Sequence, residues 1–90
     1  MSIQIKISPF FSQYTDNKQV ADVKGSTVGE CLEDLNKQLP RLKEVLFDKK
    51  GELHHYFDIF VNGESAYPEE LARKVKDGDE LHIVMLVHGG

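Results

Sequence analysis

Alternating apolar and polar residues near the start of the chain predict a β-strand. Isoleucine occupies every odd position from 3 to 7 and a polar residue every even one, which is the period of a half-buried strand. Pro9 ends this pattern, and turn-forming residues at 15–18 precede a second short apolar segment at 20–23. We expect these two segments to pair as a β-hairpin.

The segment after residue 25 predicts an amphipathic helix. Thr27 is suited to cap it, and Glu30, three residues later, would complete a capping box. Apolar residues then recur at helical spacing along one stripe, at Val28, Cys31, Leu32, Leu35 and Leu39. This pattern predicts a helix of about 12 residues. Pro40 would end it and begin a second, shorter helix that includes Leu46.

Two further strands are predicted in the second half of the chain. We expect the longest one from Glu52 to Val61, with Phe57, Ile59 and Val61 facing inward and Tyr56, Asp58 and Phe60 facing outward. Asn62-Gly63 would terminate it. Residues 67–75 predict a single helical turn led by Pro68, followed by a loop. After the turn at Asp77-Gly78-Asp79, residues 81–87 form an apolar, β-branched segment that predicts the last strand.

The order of these elements predicts an α+β fold in a single domain, residues 1–90. We expect a mixed sheet of four to five strands with one main helix packed across one face. A right-handed crossover through that helix would make the first and last strands central neighbours. Ninety residues are too few for two separate cores.

Composition and charge exclude several classes of partner. The chain is 40% hydrophobic and 29% charged, which is typical of a protein that folds alone. Its net charge of −4 has the wrong sign for binding a nucleic acid backbone. No segment approaches the roughly 18 apolar residues of a membrane span, and one cysteine cannot form an internal disulfide. We therefore expect a cytoplasmic protein without nucleic acid or membrane partners.

Residues of catalytic type do not combine into an enzyme motif. The sequence contains no glycine-rich phosphate loop, zinc-binding His-Glu-x-x-His or Gly-x-Ser-x-Gly elbow. Cys31 falls on the inward stripe of the helix and is expected to be a core thiol. His54 and His55 would point to opposite faces of a strand, so they cannot share a metal unaided. We expect no catalytic residues, no metal site and no permanently bound cofactor.

The terminal Gly89-Gly90 pair is not explained by folding, because glycine has the greatest conformational freedom of any residue. One interpretation is a frayed end without function. The other is a flexible tail, residues 87–90, that extends roughly 13 Å from the last strand. Without β-carbons, such a tail could enter the narrow, water-excluding site of an enzyme.

The outward face of the sheet is more apolar than strand alternation predicts. Phe60, Val84 and Leu86 stand where polar residues are expected, with Asp58 and His82 at the rim. Exposed apolar patches often mark binding sites, although the protein's own loops could also cover this face. The expected partner-binding surface comprises Phe60, His82, Val84, Leu86 and His88.

The whole chain resembles the ThiS/MoaD sulfur-carrier family, whose members have the ubiquitin-like β-grasp fold. The resemblance rests on Phe10-Phe11, the Asn62-Gly63 turn, the Asp77-Gly78-Asp79-Glu80 loop and the final Gly89-Gly90. The last ten residues, LHIVMLVHGG, are also similar to the tail of ubiquitin. Many molybdopterin-synthase small subunits have prolines before the two glycines, whereas this chain has Met85-Leu86-Val87-His88. Other carriers and a protein modifier therefore stay open.

The resemblance implies that the protein is a substrate and not a catalyst. A ubiquitin-activating-type adenylyltransferase would use ATP and Mg²⁺ to adenylate the Gly90 carboxylate, with Gly89 keeping the approach slim. A sulfur donor would convert the adenylate to a thiocarboxylate. A sulfur-acceptor enzyme, such as a synthase large subunit, would consume it in molybdopterin- or thiamine-type cofactor biosynthesis or in amino-acid biosynthesis. The alternatives are a ubiquitin-like modifier joined through Gly90 to target lysines, and a plain protein-interaction domain.

Overall fold

A mixed β-sheet is the frame on which the other elements pack. The computed structural model describes residues 3–54, 56–67 and 69–85, without the side chain of Glu70. Within these ranges the strands are β1 (Ile3–Lys6), β2 (Val20–Val23), β3 (Phe57–Val61), β4 (Glu64–Ser65) and β5 (Glu80–Met85). They lie in the order β2-β1-β5-β3-β4. β1 and β5 are parallel central neighbours, as predicted, and the other pairs are antiparallel.

The predicted hairpin of β1 and β2 is confirmed. Ile3 pairs with Val23 and Ile5 with Ala21, and all four side chains are buried because the odd positions face the core. The connection is more ordered than the sequence indicated. A 3₁₀ turn (Pro9–Phe11) leads into a short helix α1 (Ser12–Thr15), where the sequence predicted only a turn.

Local hydrogen bonds explain this short helical connection. The Ser8 hydroxyl accepts a hydrogen bond from the Phe10 amide at 3.2 Å, and Pro9 occupies the first position of the 3₁₀ turn. Asp16 then ends α1 in the left-handed conformation, with φ 53°. Asp and Asn tolerate this conformation better than most residues.

The two predicted helices are present as α2 (Val28–Gln38) and α3 (Pro40–Leu46). Thr27 caps α2 by accepting a hydrogen bond from the Glu30 amide at 3.2 Å. The Glu30 carboxylate accepts from the amide and the hydroxyl of Ser26, at 2.7 and 2.8 Å. A capping box on Thr27 would bond the Glu30 carboxylate to the Thr27 amide. In the structure, the carboxylate bonds instead to Ser26, the residue before Thr27.

The prediction of a strand from Glu52 to Val61 was wrong in its first half. β3 begins only at Phe57, and β5 is the longest of the described strands. The Asp48 carboxylate accepts the amides of Lys50 and Glu52, at 2.8 and 3.0 Å, which folds the chain into a turn. The segment then runs back along the end of α3, where Phe47 and Leu53 form an isolated β-bridge.

Asn62-Gly63 does more than end β3, because it is the turn of a hairpin with β4. Both residues have positive φ, 51° and 85°, which two-residue hairpin turns of this kind require. β4 has only two residues, too few for a hydrophobic period. The predicted helical turn after it is confirmed as a 3₁₀ turn (Glu70–Ala72).

The core lies between the sheet and α2, with α3 closing one end. The buried stripe of α2 is the predicted one except that Leu39 is only partly buried: Val28, Cys31, Leu32 and Leu35 have no exposed surface. They pack with the inward residues of the strands in one apolar cluster. In the described part of the chain, no helix is long and apolar enough to cross a membrane.

Candidate functional site

The expected tail site at Gly89 and Gly90 lies outside the described residues, and so do two residues of the expected partner surface, Leu86 and His88. Gly89, Gly90, Leu86 and His88 all follow Met85, the last residue that the structure describes. Met85 belongs to β5, which pairs with β1 on one side and β3 on the other. The central strand of the sheet therefore leads directly to the five residues that contain the two glycines.

The described part of the predicted partner surface does lie on one face. β3 and β5 pair so that Phe60 stands opposite His82. Val84 points to the same side by strand alternation. This face is opposite the one that packs on α2, and all three residues are partly exposed. The sequence pattern placed these residues together correctly; whether they bind a partner stays a prediction.

Asp58 is not an exposed rim residue, as the sequence had suggested. It is buried, with 9% of its surface exposed. Its carboxylate accepts a hydrogen bond from the Ser65 hydroxyl and another from the Ile59 amide. Ser65 belongs to β4, and because that strand could not be recognised from the sequence, neither could the burial of Asp58.

Charged side chains adjoin the apolar part of this face. The Glu80 carboxylate lies 3.4 Å from the Lys6 ammonium and 3.7 Å from Nε2 of His82. Val20, opposite Lys6 on the edge strand β2, is 41% exposed. We define the outer face as Val20, Lys6, Phe60, His82 and Val84. It offers apolar contacts beside Lys6 and His82, and the Glu80 carboxylate lies close to both.

A polar network joins the β3–β4 turn to the start of β5. The Asn62 side-chain amide donates to Asp79 at 3.0 Å, and its oxygen accepts from the Glu80 amide at 2.9 Å. The second Asp79 oxygen accepts from the Lys76 amide at 2.9 Å. The Asn62 bond, followed by the Lys76 amide and the nearby positive charges, lowers the pKa of Asp79. The sequence predicts both turns but not their contact, which joins residues 17 positions apart.

Cys31 is a buried residue of the core. Burial raises the pKa of the Cys31 thiol to about 11, and the negative charges of Glu30, Asp34 and Asp79 add to the effect. Cys31 is thus the core residue that the helical stripe predicted. Among described residues no group of three or more His, Cys, Asp or Glu side chains could hold a metal ion.

Comparison with solved structures identifies the class of fold. SAMP1 of Haloferax volcanii, a small archaeal modifier protein, superposes with a TM-score of 0.87 at 28% identity, and the match covers 100% of both chains. A chain of the Amycolatopsis orientalis BexX/CysO complex also gives 0.87, at 29% identity, over 99% of this chain and 100% of that one. These similarities confirm the predicted ubiquitin-like β-grasp fold.

Sequence comparison narrows the class to a family. The model of the ThiS family matches residues 10–90, so the chain belongs to the ThiS family. The sulfur carrier protein CysO of Mycobacterium tuberculosis is 29% identical over 93 residues, and the match covers 100% of both chains. The family resemblance seen in the sequence is confirmed.

Proposed function

We propose that this protein is a sulfur carrier whose Gly90 carboxylate is adenylated and then converted to a thiocarboxylate. The observation that carries the proposal is the ThiS-family match, which extends through Gly90. The sequence match to the sulfur carrier protein CysO covers both chains over their full length, and it supports the same role. The chain would act as a substrate passed between enzymes.

The chemistry proceeds in two displacements, both on the activating enzyme. A carboxylate oxygen of Gly90 attacks the α-phosphorus of ATP, and pyrophosphate leaves with its charge balanced by Mg²⁺. Hydrosulfide then attacks the carbonyl carbon of the acyl adenylate, a C–S bond forms, and AMP leaves with the original oxygen. The carboxylate oxygen of Gly90 is a poor leaving group, and adenylation turns it into part of AMP, a good leaving group, before sulfur attacks. ATP and Mg²⁺ are bound by the activating enzyme and not by this chain.

The described residues hold the strand from which the tail extends in a fixed position. β5 has strand partners on both sides, and the Asn62–Asp79 network secures its first residue, Glu80. The five residues beyond Met85 span at most roughly 17 Å. An enzyme that holds Gly90 would therefore also meet the surface around the end of β5.

The outer face is the proposed docking surface for both enzymes. Phe60 and Val84 offer apolar contact, Lys6 offers positive charge and His82 offers an imidazole ring, and Leu86 and His88 would extend the surface toward Gly90. The activating enzyme and the sulfur-acceptor enzyme would bind it in turn. The Amycolatopsis orientalis structure, a complex of CysO with BexX, supports a carrier that works by docking.

Mass spectrometry of the intact chain tests the proposal. The purified chain is incubated with ATP, Mg²⁺, sulfide and a recombinant adenylating enzyme from the same organism. We expect a gain of about 16 Da, because sulfur replaces one oxygen. Gly90→Phe should abolish this gain, while Ala72→Phe, which places the same side chain on an exposed turn, should retain it. An unchanged wild-type mass, or a gain in Gly90→Phe, would refute the proposal.

A protein modifier is the second candidate, favoured by the close structural similarity to the modifier SAMP1. Both functions begin with adenylation of Gly90, so the products distinguish them. A modifier would be recovered joined to lysines of other proteins, whereas a carrier would be recovered as free thiocarboxylate. A plain interaction domain would keep its activity after deletion of Gly89 and Gly90.

A further inference from the structure

An apolar groove opens at the end of the sheet where β5 leads to the tail. It has a volume of about 480 Å³, and we call it the aromatic groove. Its lining residues are Phe10, Tyr14, Val45, His54, Tyr56, Phe57 and Met85. Phe10 comes from the 3₁₀ turn before α1, Val45 from α3, and His54 and Tyr56 from the segment before β3. Three separate parts of the chain thus converge beside Met85.

Two aromatic side chains that line the groove are about half exposed to solvent. Phe10 is 58% exposed and Tyr56 46% exposed. Phe10 packs edge-on against the buried Phe11, with ring centroids 5.2 Å apart, and Tyr56 stacks with His54 at 5.7 Å. These contacts hold the two rings while a large part of each faces solvent. Exposed aromatic groups held in this way are typical of binding sites.

The lining of the groove indicates an uncharged occupant. None of its described lining residues is Asp, Glu, Lys or Arg, although 29% of the chain is charged. The larger groove beside α2 is different, because Glu30, Glu33, Lys37 and Lys43 all line it. A charged side chain placed in the aromatic groove would lose hydration without gaining an ionic partner.

Position indicates which protein supplies the occupant. A typical interface covers about 800 Å² on each partner, the area of a disc of roughly 16 Å radius. The five residues after Met85, which end at Gly90, extend no further than roughly 17 Å. An enzyme that encloses Gly90 to exclude water therefore also covers the end of β5. Met85 pairs with Phe57 on the helix-facing side of the sheet, so the groove is distinct from the outer face.

We propose that the aromatic groove receives an uncharged aliphatic or aromatic side chain of the enzyme that adenylates Gly90. This inference rests on the proposed function. The enzyme would thereby contact both sides of β5: the outer face on one side and the aromatic groove on the other. Such contact would fix the direction in which the tail enters the active site.

Steady-state kinetics with the adenylating enzyme that charges the wild-type chain test this inference. Phe10→Ala should raise the KM for the chain about tenfold, with kcat unchanged, because it removes binding made equally in the ground and transition states. Phe10→Lys should raise KM further, since the groove offers its charge no partner. Tyr67, which is 72% exposed after β4, provides matched controls: Tyr67→Ala and Tyr67→Lys should stay within about twofold of wild type.

A second measurement needs no substitution. In a chain with labelled valine methyl groups, the Val45 signals should shift when the enzyme is added without ATP. If the Phe10 variants do not fold, this result decides the question. Unchanged Val45 signals, an unchanged KM in folded Phe10→Ala, or an equal rise in the Tyr67 variants would overturn the inference.

Evidence that the groove binds something other than the enzyme would also overturn the inference. If wild type is a dimer and Phe10→Ala a monomer, the groove binds a second copy of this chain. If deleting residues 86–90 shifts the Val45 signals of the free chain, the tail itself occupies the groove. If the enzyme does not adenylate the wild-type chain, the proposed function is refuted as well. If it adenylates the wild-type chain and the KM of Phe10→Ala is unaltered, only the inference about the groove is refuted.

Discussion

Asn62 offers the sharpest test of how the turn after β3 supports β5. Its side chain makes two hydrogen bonds, one to the Asp79 carboxylate and one from the Glu80 amide. Its backbone has φ 51°, in the left-handed region. Asn62→Ala removes both bonds and places a residue with a β-carbon in that conformation. Asn62→Gly removes the same bonds but is free of the conformational cost.

The structure sets the size of both effects. Two partly exposed hydrogen bonds, one of them to a carboxylate, contribute about 2 kcal/mol together. The left-handed conformation costs alanine about 1 kcal/mol more than glycine. We expect Asn62→Gly to lower the free energy of unfolding by about 2 kcal/mol and Asn62→Ala by about 3 kcal/mol. Each kcal/mol corresponds to about 4 to 8 °C in Tm for a domain of this size.

The destabilisation should also depend on pH. The pKa of Asp79 is lowered in the folded protein, chiefly by Asn62. A lowered pKa stabilises the fold above the unfolded value of about 3.9, and that stabilisation is lost as the pH falls through the folded value. Both Asn62 variants raise the folded pKa toward the usual value, so their difference from wild type should be largest above about pH 5 and should narrow in acid.

Urea denaturation at neutral pH and at several acidic pH values measures these differences directly. Equal stability of the alanine and glycine variants would show that the positive φ imposes no cost on alanine. A difference from wild type that stays constant from neutral to acidic pH would refute the role of Asn62 in lowering the pKa of Asp79.

Three further predictions concern the surface, the thiol and one glycine. Phe60→Ala should weaken the complex with the activating enzyme by about 2 kcal/mol, measured by calorimetry, and unchanged affinity in a folded variant would contradict docking on the outer face. Cys31, with its pKa raised to about 11, should resist a thiol reagent at pH 8 in the folded protein and react rapidly in denaturant. Gly25→Ala should lower the free energy of unfolding by about 1 to 3 kcal/mol, because its β-carbon would lie 2.8 Å from the Cys31 amide nitrogen; a melting temperature equal to that of wild type would exclude that clash.

The sequence predicted the elements whose hydrophobic period is long enough to be distinctive. The isoleucines of β1 and the stripe of α2 fall where alternation and helical spacing placed them. Short elements were not predicted because their structure depends on a few local hydrogen bonds. The Ser8 hydroxyl begins the turn before α1, and the Asp48 carboxylate diverts the chain before β3. None of these three bonds changes the hydrophobic pattern.

Part of the candidate site could also be predicted from the sequence, and part of it could not. Strand alternation brought Phe60, His82 and Val84 to one face because residues at even positions of paired strands share a side. The burial of Asp58 depends on Ser65 in a strand of two residues. The aromatic groove depends on Phe10 and Tyr56, which are far apart in the chain and meet only through the tertiary fold.

The parallel pairing of β1 with β5 has a consequence for biosynthesis. β1 leaves the ribosome well before β5 and cannot complete its hydrogen bonds until β5 has been made. Contacts between such distant parts of a chain form late in folding. A prematurely terminated product lacking β5 would leave the centre of the sheet open, so only chains translated through that strand would reach a folded state that an activating enzyme could recognise.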